Sequence, residues 1–446
     1  MKRLLLSPVV FALLVVPAFA GDWPQFRGEN GAAISDDPAF PEKWDAENNL
    51  VWKAKLPAPG ASSPIVWKDR VYITSYSGYG ASAQDPGRPS DLVRHLTCVD
   101  RKQGQVLWTK DVRSQAPEAN YQGFMQQHGY ASNTPATDGK RLYVFLGSAG
   151  VFAFDLEGNE IWRQSVGTGT HNWGSASSVR LYDDLVIVNA AVESSAIVAL
   201  KKNDGTEAWK FAVPQRTWST PALVESGGGK HELVVSAEGR IFGLDPKTGK
   251  ELWSCEGIPD YICPSAIPGK GVAYVTGGRR SMIVAVKAGG AGDVSASHVL
   301  WRAKVGANVP TPVLYQGHLF GVSDPGIAFC VDAQAGHVVY QERLKADEIA
   351  VRPAAFQQGR KRGRRGGGGF DGGLKLYASA VAADGKIFAV SRGHGVFVLA
   401  AKPALELLAR NRLDSDNGPF DATPALASGQ IFLRSNEYLY CIGKKN

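Results

Sequence analysis

The side chains best suited to bind a ligand stand at one kind of position in a repeated sequence pattern. They come just before the first strand of a repeat, or in the turn between its second and third strands. The set combines imidazole, amide, guanidinium, carboxyl and aromatic groups: His128, Tyr130, His171, Asn172, Trp173, Arg216, Trp218, Tyr261, Asn308, Asp324 and Asn417. Such groups converging on a funnel suit a planar anionic or sugar-like ligand, so we predict a ligand-binding rim. Taken singly, each is also typical of an ordinary hydrogen-bonded surface residue.

Catalytic signatures of the common hydrolases and nucleotide-dependent enzymes are missing from the sequence. It has no Gly-x-Ser-x-Gly, His-Glu-x-x-His or Walker pattern, and the Gly-Thr-Gly at 167–169 lacks the strand-to-helix setting of a phosphate loop. His128 and His171 lack the spacing of metal ligands, so we predict no metal site. Serine- and zinc-dependent hydrolysis are therefore disfavoured, and the sequence assigns no catalytic residue.

One pattern recurs along nearly the whole chain. Short runs of β-branched and aromatic residues alternate with Gly-, Asp- and Asn-containing turns and end at a tryptophan, most clearly over residues 233–253. Such runs and turns are typical of antiparallel hairpins. The tryptophans recur 44 to 56 residues apart, at Trp52, Trp108, Trp162, Trp209, Trp253 and Trp301. A large aromatic residue at one fixed place in each repeat favours a structural role, so we predict that these tryptophans dock neighbouring blades.

Eight copies of this unit follow one another, each near the length of a four-stranded propeller blade. Their first strands begin near Ser62, Asn133, Ser175, Ser219, Pro264, Thr311, Ala378 and Ala422. The last copy lacks a tryptophan-bearing fourth strand, whereas a lone strand of that type, residues 50–53, precedes the first copy. We predict that it completes the eighth blade, because closing the ring removes exposed strand edges. The predicted fold is all-β, an eight-bladed β-propeller of four-stranded antiparallel blades.

Domain boundaries follow from composition. Residues 1–20 combine a charged start, an apolar run and an Ala-x-Ala ending, the order typical of a secretory signal peptide. Residues 21–49 are predicted to form an N-terminal extension, residues 50–446 the propeller, and residues 357–373 a flexible Gly- and Arg-rich insertion. We expect a periplasmic or extracellular protein without a transmembrane anchor, because the apolar run is shorter than the ~20 residues of a membrane span.

The net charge of +7 is concentrated in two places. Of 49 Lys and Arg residues, against 42 Asp and Glu, two are Lys2 and Arg3 in the leader and five lie within residues 360–365. The rest of the chain is balanced. We therefore expect no nucleic-acid partner, since a basic footprint over the fold is missing.

The chain contains five cysteines: Cys98, Cys255, Cys263, Cys330 and Cys441. An odd number leaves at least one thiol free or paired with another chain. Cys255 and Cys263 flank a short connection and form a possible disulfide in an oxidising compartment. The alternative is a pair of buried thiols.

Two copies of the repeat resemble those of pyrroloquinoline-quinone-type (PQQ-like) β-propellers: VDRKQGQVLW at 99–108 and LDPKTGKELW at 244–253. The resemblance covers about residues 44–446. That family includes quinoprotein dehydrogenases and the propeller of outer-membrane protein assembly. The segment DWPQFRGENG at 22–31 resembles the start of exported propellers abundant in planctomycete bacteria. For the dehydrogenases, the resemblance implies PQQ held by calcium.

The longest connections, residues 76–92, 110–132 and 345–376, are predicted to emerge on one face of the propeller. Long loops on one rim of a rigid scaffold commonly carry binding function. We therefore predict a monomeric binding or scaffold module, without a cofactor, that engages a protein or polymer partner through this face. The alternative is a PQQ- and calcium-dependent dehydrogenase of alcohols or sugars, and a third interpretation is binding of a polysaccharide without redox chemistry.

Overall fold

The computed structural model describes residues 21–82, 84–113, 116–344, 374–393, 395–416 and 418–444. The predicted signal peptide, the predicted Gly- and Arg-rich insertion and Asn417 lie outside these ranges. Within them, no helix has both the length and the apolar composition needed to cross a membrane.

The chain folds into eight sheets, each built on four antiparallel strands, which we number as blades I to VIII along the chain. This confirms the predicted eight-bladed propeller. The first four blades comprise Ile65–Trp67, Arg70–Ser77, Val93–Asp100 and Val106–Arg113 (I); Ala136–Thr137, Arg141–Phe145, Val151–Asp155 and Glu160–Gln164 (II); Arg180–Tyr182, Leu185–Ala190, Ala196–Lys201 and Glu207–Ala212 (III); and Ala222–Gly227, Lys230–Ala237, Arg240–Leu244 and Glu251–Glu256 (IV).

The second half of the ring repeats the same order of strands, from the channel outward. Its blades comprise Ile267–Pro268, Val272–Gly277, Met282–Lys287 and Val299–Ala303 (V); Val313–Tyr315, His318–Val322, Ile327–Asp332 and Val338–Arg343 (VI); Val381–Ala383, Lys386–Ser391, Gly395–Ala400 and Leu407–Asn411 (VII); and Ala425–Ala427, Gln430–Arg434, Tyr438–Ile442 and Leu50–Lys55 (VIII). Short strands Ile34–Ser35 and Gly292–Asp293 add to blades VII and IV. The described helices are single turns: Met125–His128, Ala191–Ser194 and the 3₁₀ turns Glu29–Gly31, Pro89–Asp91 and Gly147–Ala149.

The ring closes as the sequence predicts. Leu50–Lys55 pairs antiparallel with Tyr438–Ile442, and Trp52 lies opposite Cys441. Blade VIII therefore contains the first and the last strand of the propeller, and its sheet forms only when residues 50–55 and 438–442 meet.

Tryptophans of the fourth strands pack against a glycine turn of the next blade. At Trp52, the indole N–H donates to the Arg101 carbonyl at 2.8 Å, and Gly104 of the same turn lies against the ring. The same two contacts join Trp162 to Lys202 and Gly205, Trp209 to Pro246 and Gly249, and Trp301 to Ala333 and Gly336. The turns need glycine because its φ is positive there and a Cβ would overlap the indole.

Trp253 departs from this arrangement. The turn it would contact in blade V is replaced by a longer excursion, in which Gly292–Asp293 pairs in parallel with Trp253 and Ser254. The indole N–H donates instead to Glu232 of its own blade at 2.7 Å, and the ring is fully buried. Blades IV and V are therefore joined by strand pairing at the place where Trp52, Trp162, Trp209 and Trp301 each pack on a glycine of the next blade.

A ring of hydroxyl groups links the channel ends of the blades. Where each inner strand begins, a backbone N–H donates to the Ser or Thr hydroxyl at the equivalent place in the next blade. The series runs from Ser63 to Thr134 (3.0 Å), Thr134 to Ser178 (3.0 Å), Ser178 to Thr220 (2.9 Å), Thr220 to Ser265 (3.1 Å), Ser265 to Thr311 (3.0 Å), Thr311 to Ser379 (3.1 Å) and Ser379 to Thr423 (2.9 Å). These bonds connect blades I to VIII in order.

The N-terminal extension lies across the channel at the face opposite the long loops. Asp22 accepts a hydrogen bond from the Lys68 N–H, in the turn between the first two strands of blade I, at 2.7 Å. Trp23 then forms a β-bridge with Val66, and Ile34–Ser35 pairs in parallel with the inner strand of blade VII. The turn Glu29–Gly31 also contacts the inner strands of blades IV and V, so the extension crosses the channel and covers this end of it.

Arg27 anchors the extension inside the channel. The side chain is 1% exposed, and its guanidinium donates to the carbonyls of Thr311 at 3.2 Å and Pro312 at 2.7 Å. Burial, together with the nearby positive charge of Arg180, lowers the pKa of Arg27 to about 9. The carbonyl acceptors compensate for part of the hydration that the guanidinium loses on burial. A buried charge without such partners would lack this compensation.

The possible disulfide between Cys255 and Cys263 is not formed in the structure. Both are free thiols, which is the alternative that the sequence left open. Cys255 is buried in the apolar contact between blades IV and V, whereas Cys263 borders the central channel. Burial raises the pKa of Cys255 to about 11 and that of Cys263 to about 12. The two side chains therefore belong to different environments on either side of one connection.

Replacing Gly336 by alanine tests the docking of tryptophan on glycine. Gly336 has φ +75, and an added Cβ would lie 2.5 Å from Trp301; Gly239 has φ +76 with no atom within 4 Å. Both substitutions place a Cβ on a residue with positive φ, but only Gly336→Ala brings that Cβ against an indole ring. We expect Gly336→Ala to lower the free energy of unfolding by ~1–3 kcal/mol more than Gly239→Ala, as overpacking does. Urea unfolding measures both, and equal losses would contradict the docking role.

The hydroxyl ring can be tested at Thr311, whose side-chain oxygen accepts the Ser265 N–H at 3.0 Å. Thr311→Val keeps the shape of the side chain and leaves that N–H without its acceptor. The expected loss is ~1–3 kcal/mol in the free energy of unfolding, the cost of an unsatisfied buried donor. Thr168→Val, at an exposed loop position, is the control and should change little. A loss at Thr311 no larger than at Thr168 would show that the ring adds no stability.

Candidate ligand-binding cavity

The channel opens on the loop-rich face into a cavity of about 320 Å³. All eight blades, or the connections leading into them, contribute to its wall, and Phe26 of the N-terminal extension lies at its base. The volume is at the lower end of the roughly 300–1,000 Å³ typical of small-molecule sites. The cavity is therefore large enough for one or two ring-sized groups.

The wall follows directly from the hydroxyl ring. In each blade, the residue two positions before the ring hydroxyl borders the cavity: Ala61, Ser132, Ala176, Trp218, Cys263, Val309, Tyr377 and Asp421. Residues two apart in extended chain point to the same side. The backbone that builds the ring thus presents one side chain per blade to the cavity.

One side of the cavity is aromatic. The rings of Trp173 and Trp218 have centroids 4.9 Å apart, and those of Trp173 and Tyr261 are 4.5 Å apart and nearly perpendicular. Phe124, 47% exposed, packs edge-on against Trp173 at 5.3 Å. These rings come from consecutive connections leading into blades II to V, so they form a continuous apolar wall.

The opposite side is a hydrogen-bonded network around Gln127. The Tyr377 hydroxyl donates to Gln127 Oε1 at 2.6 Å, and the Arg392 guanidinium donates to the Gln127 carbonyl at 2.6 Å. Arg392 also forms an ion pair with Asp421 at 3.1 Å. Burial raises the pKa of Asp421 to about 6, against the opposing effect of Arg392.

Outside the Arg392–Asp421 ion pair, two acceptor oxygens of the cavity wall have no protein donor. Asp324 Oδ1 and Asn308 Oδ1 are buried and have no hydrogen-bond partner within the described residues. The Asn308 amide N–H₂ donates to the Tyr261 hydroxyl at 3.0 Å, and burial raises the pKa of Asp324 to about 6. These oxygens are available to a ligand that carries hydroxyl or amide donors.

His128 is a neutral imidazole in this wall. Its Nε2 lies 3.0 Å from the Trp173 carbonyl and its Nδ1 lies 2.8 Å from the Ser132 hydroxyl. Burial lowers the pKa of His128 to about 4. Since a carbonyl only accepts, Nε2 carries the proton and Nδ1 accepts from Ser132.

The structure brings together six of the predicted rim residues. Those that border the cavity are His128, Trp173, Trp218, Tyr261, Asn308 and Asp324. Tyr130 and His171 lie beside a smaller neighbouring cavity instead. Asn172 is exposed, Arg216 is exposed and bonded to Glu238 at 2.8 Å, and Asn417 is outside the described residues.

Sequence reasoning missed Lys375, Tyr377 and Asp421, and it did not place Phe26 or Cys263 in the cavity. A signal was present for three of them. Cys263, Tyr377 and Asp421 each stand two residues before a Ser or Thr that begins an inner strand. Aligning the repeats on that hydroxyl identifies these positions.

The smaller cavity, of about 30 Å³, encloses the side chain of Glu193. Neither carboxyl oxygen of Glu193 has a hydrogen-bond partner within the described residues, and the residue is 5% exposed. The neighbouring Arg94 is already paired with Glu118, at 2.7 Å. Burial therefore raises the pKa of Glu193 to about 7.

The raised pKa makes stability depend on pH in a defined direction. Folding raises the pKa of this carboxyl from 4.5 to about 7, because the buried group holds its proton more tightly. The free energy of unfolding therefore falls as the pH rises through this window. Glu193→Gln removes the ionisable carboxyl. We subtract the free energy of unfolding of the parent from that of the variant, and we expect this difference to be ~3 kcal/mol larger at pH 8 than at pH 4.5. Urea unfolding at both pH values measures it.

The control for this prediction is Glu207→Gln, at an exposed strand position. It should shift stability equally at the two pH values. A Glu193→Gln variant whose effect does not change with pH would show that the carboxyl is not held protonated by the fold.

Comparison with known proteins places this geometry in a family. A PQQ-type repeat model described as "Outer membrane protein assembly factor BamB" matches residues 93–342. The quinoprotein ethanol dehydrogenase of Pseudomonas aeruginosa is 28% identical over 154 residues, which cover 29% of this chain and 23% of that protein. The chain therefore matches less than a quarter of that relative's length.

Two solved structures share the fold. The BamB of Moraxella catarrhalis aligns with a TM-score of 0.56 at 12% identity, over 88% of this chain and 99% of that one. The quinohemoprotein alcohol dehydrogenase of Comamonas testosteroni aligns with a TM-score of 0.59 at 12% identity, over 96% of this chain and 82% of that one. Since the family model spans more than half of the sequence, the chain belongs to the PQQ-like repeat β-propellers of the type described for the assembly factor BamB.

Proposed function

We propose that this protein is a binding module, acting outside the cytoplasm, that engages a polymeric partner through its loop-rich face. The observation that carries the proposal is the cavity of about 320 Å³ at the centre of that face. Its aromatic wall and its unpaired acceptor oxygens offer contacts that the fold itself does not use. A polymer lying across the face would place one of its units in the cavity.

The covered end of the channel supports this use of a single face. Asp22, Trp23 and Arg27 tie the N-terminal extension to the far side of the ring. A ligand therefore enters and leaves from the loop-rich side. The BamB relatives, named as an assembly factor, support a binding role for a propeller of this kind.

A PQQ- and calcium-dependent dehydrogenase is the alternative that the sequence raised. Within the described part of the chain, no three His, Cys, Asp or Glu side chains come close enough together to hold a metal ion. The two cavity carboxyls come from different blades, and Asp421 is already engaged by Arg392. Calcium takes roughly six to eight oxygen ligands. The unpaired oxygens of Asp324 and Asn308 supply two, so this donor set does not fit a calcium ion beside a quinone and supports no catalytic step through that pair.

Photo-crosslinking tests which face binds. A photoreactive amino acid is placed at Asn172, beside the cavity, or at Asn203, in the turn between the third and fourth strands on the opposite face of the same blade. Both side chains are exposed, so neither change should disturb folding. After illumination with an envelope fraction of the producing cells, we expect several-fold more adduct from Asn172. Adding Trp173→Ala to the Asn172 probe should reduce that yield.

Two kinds of result would contradict the proposal. Equal yields from the two positions, or no adduct from either, would show that the loop-rich face is not a specific binding surface. A yield from Asn172 that is unaffected by Trp173→Ala would show that the cavity takes no part.

A further inference from the structure

We propose that the cavity binds the terminal ring of a neutral glycan, an inference that rests on the proposed function and names the class of its polymeric partner. Four features of the cavity lead to this ligand: its covered end, its aromatic wall, its hydroxyl donors and its balanced charge.

The covered end selects a chain terminus or a short branch. Phe26 lies at the base of the cavity, and below it Arg27 is buried among the carbonyls of blades VI and VII. A polymer cannot thread through the propeller. The depth of the cavity is therefore available only to the last one or two units of a chain that enters from the loop-rich face.

The aromatic wall supplies a surface for the apolar face of a sugar ring. Trp173, Trp218 and Tyr261 border the cavity together, and Trp173 is only half-buried. Aromatic side chains bury a large area at a small cost in conformational entropy. A pyranose ring has C–H groups on one face and hydroxyls on its edges, which matches a wall that is apolar on one side and polar on the other.

The hydroxyl ring supplies donors for the edges of such a ligand. Each ring hydroxyl accepts a backbone N–H, which leaves its own O–H free to donate. Within the described residues, none of these hydroxyls donates to a protein acceptor, and six of them border the cavity: Ser178, Thr220, Ser265, Thr311, Ser379 and Thr423. Asp324 and Asn308 add unpaired acceptor oxygens, so the wall matches a group that both donates and accepts.

The charge of the cavity favours a neutral ligand. Among its described lining residues, the charged groups are Asp324, Asp421 and Lys375, and His128 is neutral. Asp421 is paired with Arg392 behind the wall, and Lys375 is exposed at the mouth. An acidic polymer would bring further negative charge against two buried carboxyls, which a neutral polyol avoids.

Isothermal titration of the purified protein tests this ligand class. The probes are neutral hexasaccharides of glucose, mannose and xylose units, with hexagalacturonate as the acidic counterpart. We expect at least one neutral probe to bind and hexagalacturonate to bind at least about tenfold more weakly. With a longer polymer of the same unit, the number of proteins bound per chain should stay constant, because only chain ends enter the cavity.

Variants locate the binding. Trp173→Ala should weaken the binding of the neutral probe by at least about tenfold, through the loss of stacking area. Trp108→Ala removes a tryptophan of similar burial that does not border the cavity, and its affinity should match that of the parent. Far-ultraviolet circular dichroism of both variants checks that the propeller is folded.

Three results would overturn the proposal: no binding of any neutral probe, equal affinity for hexagalacturonate, or a bound number that grows with polymer length. Titration with PQQ and calcium chloride is run in parallel, and stoichiometric quinone binding without glycan binding would also refute it. If the crosslinks from Asn172 persist while no glycan binds, only the ligand class is wrong. If both experiments fail, the proposed function fails as well.

Discussion

The ring of backbone-to-hydroxyl bonds at the channel is the constraint on which this propeller depends. Inner strands have no strand partner on the channel side, so the N–H groups at their starts need another acceptor. In blades I to VII this N–H finds it in the Ser or Thr of the next blade, at 2.9 to 3.1 Å, from Ser63 through to Thr423. The seven bonds join neighbouring blades at one level of the channel, and Leu50–Lys55 closes the ring at the edge of blade VIII.

In each blade, the residue that bonds the neighbouring blade and the variable residue of the cavity wall are different residues. The hydroxyl position admits only Ser or Thr, whereas the position two residues earlier holds residues as different as Ala61, Trp218 and Asp421. That earlier side chain borders the cavity, and its type is not fixed by the hydrogen bond between the ring hydroxyl and the neighbouring backbone. A propeller of this kind can therefore change its ligand by changing one residue per blade while its ring of hydrogen bonds stays intact.

The main features that sequence analysis predicted are periodic, and the hydroxyl ring that it missed is periodic as well. Blade number, ring closure and the packing of Trp52 follow from spacing that repeats along the chain. The hydroxyl ring was not predicted, because a Ser or Thr at the start of a strand does not show by itself which backbone N–H its hydroxyl accepts. The position of Arg27 could not be derived, since its acceptors at Thr311 and Pro312 lie 284 and 285 residues away. The non-standard contact of Trp253 depends likewise on an insertion in the next blade.

Carbonyl groups just before the inner strands also affect where a ligand can bind. Three buried arginines donate to them: Arg27 to Pro312 at 2.7 Å, Arg180 to Pro221 at 3.0 Å and Arg434 to Ser62 at 2.9 Å. Burial lowers the pKa of each, to about 9 or 10, yet all remain cationic near neutral pH. Guanidinium and carbonyl groups thus satisfy part of each other's hydrogen bonding in the channel. The ring hydroxyls and the oxygens of Asp324 and Asn308, in contrast, border the open cavity, where a ligand can reach them.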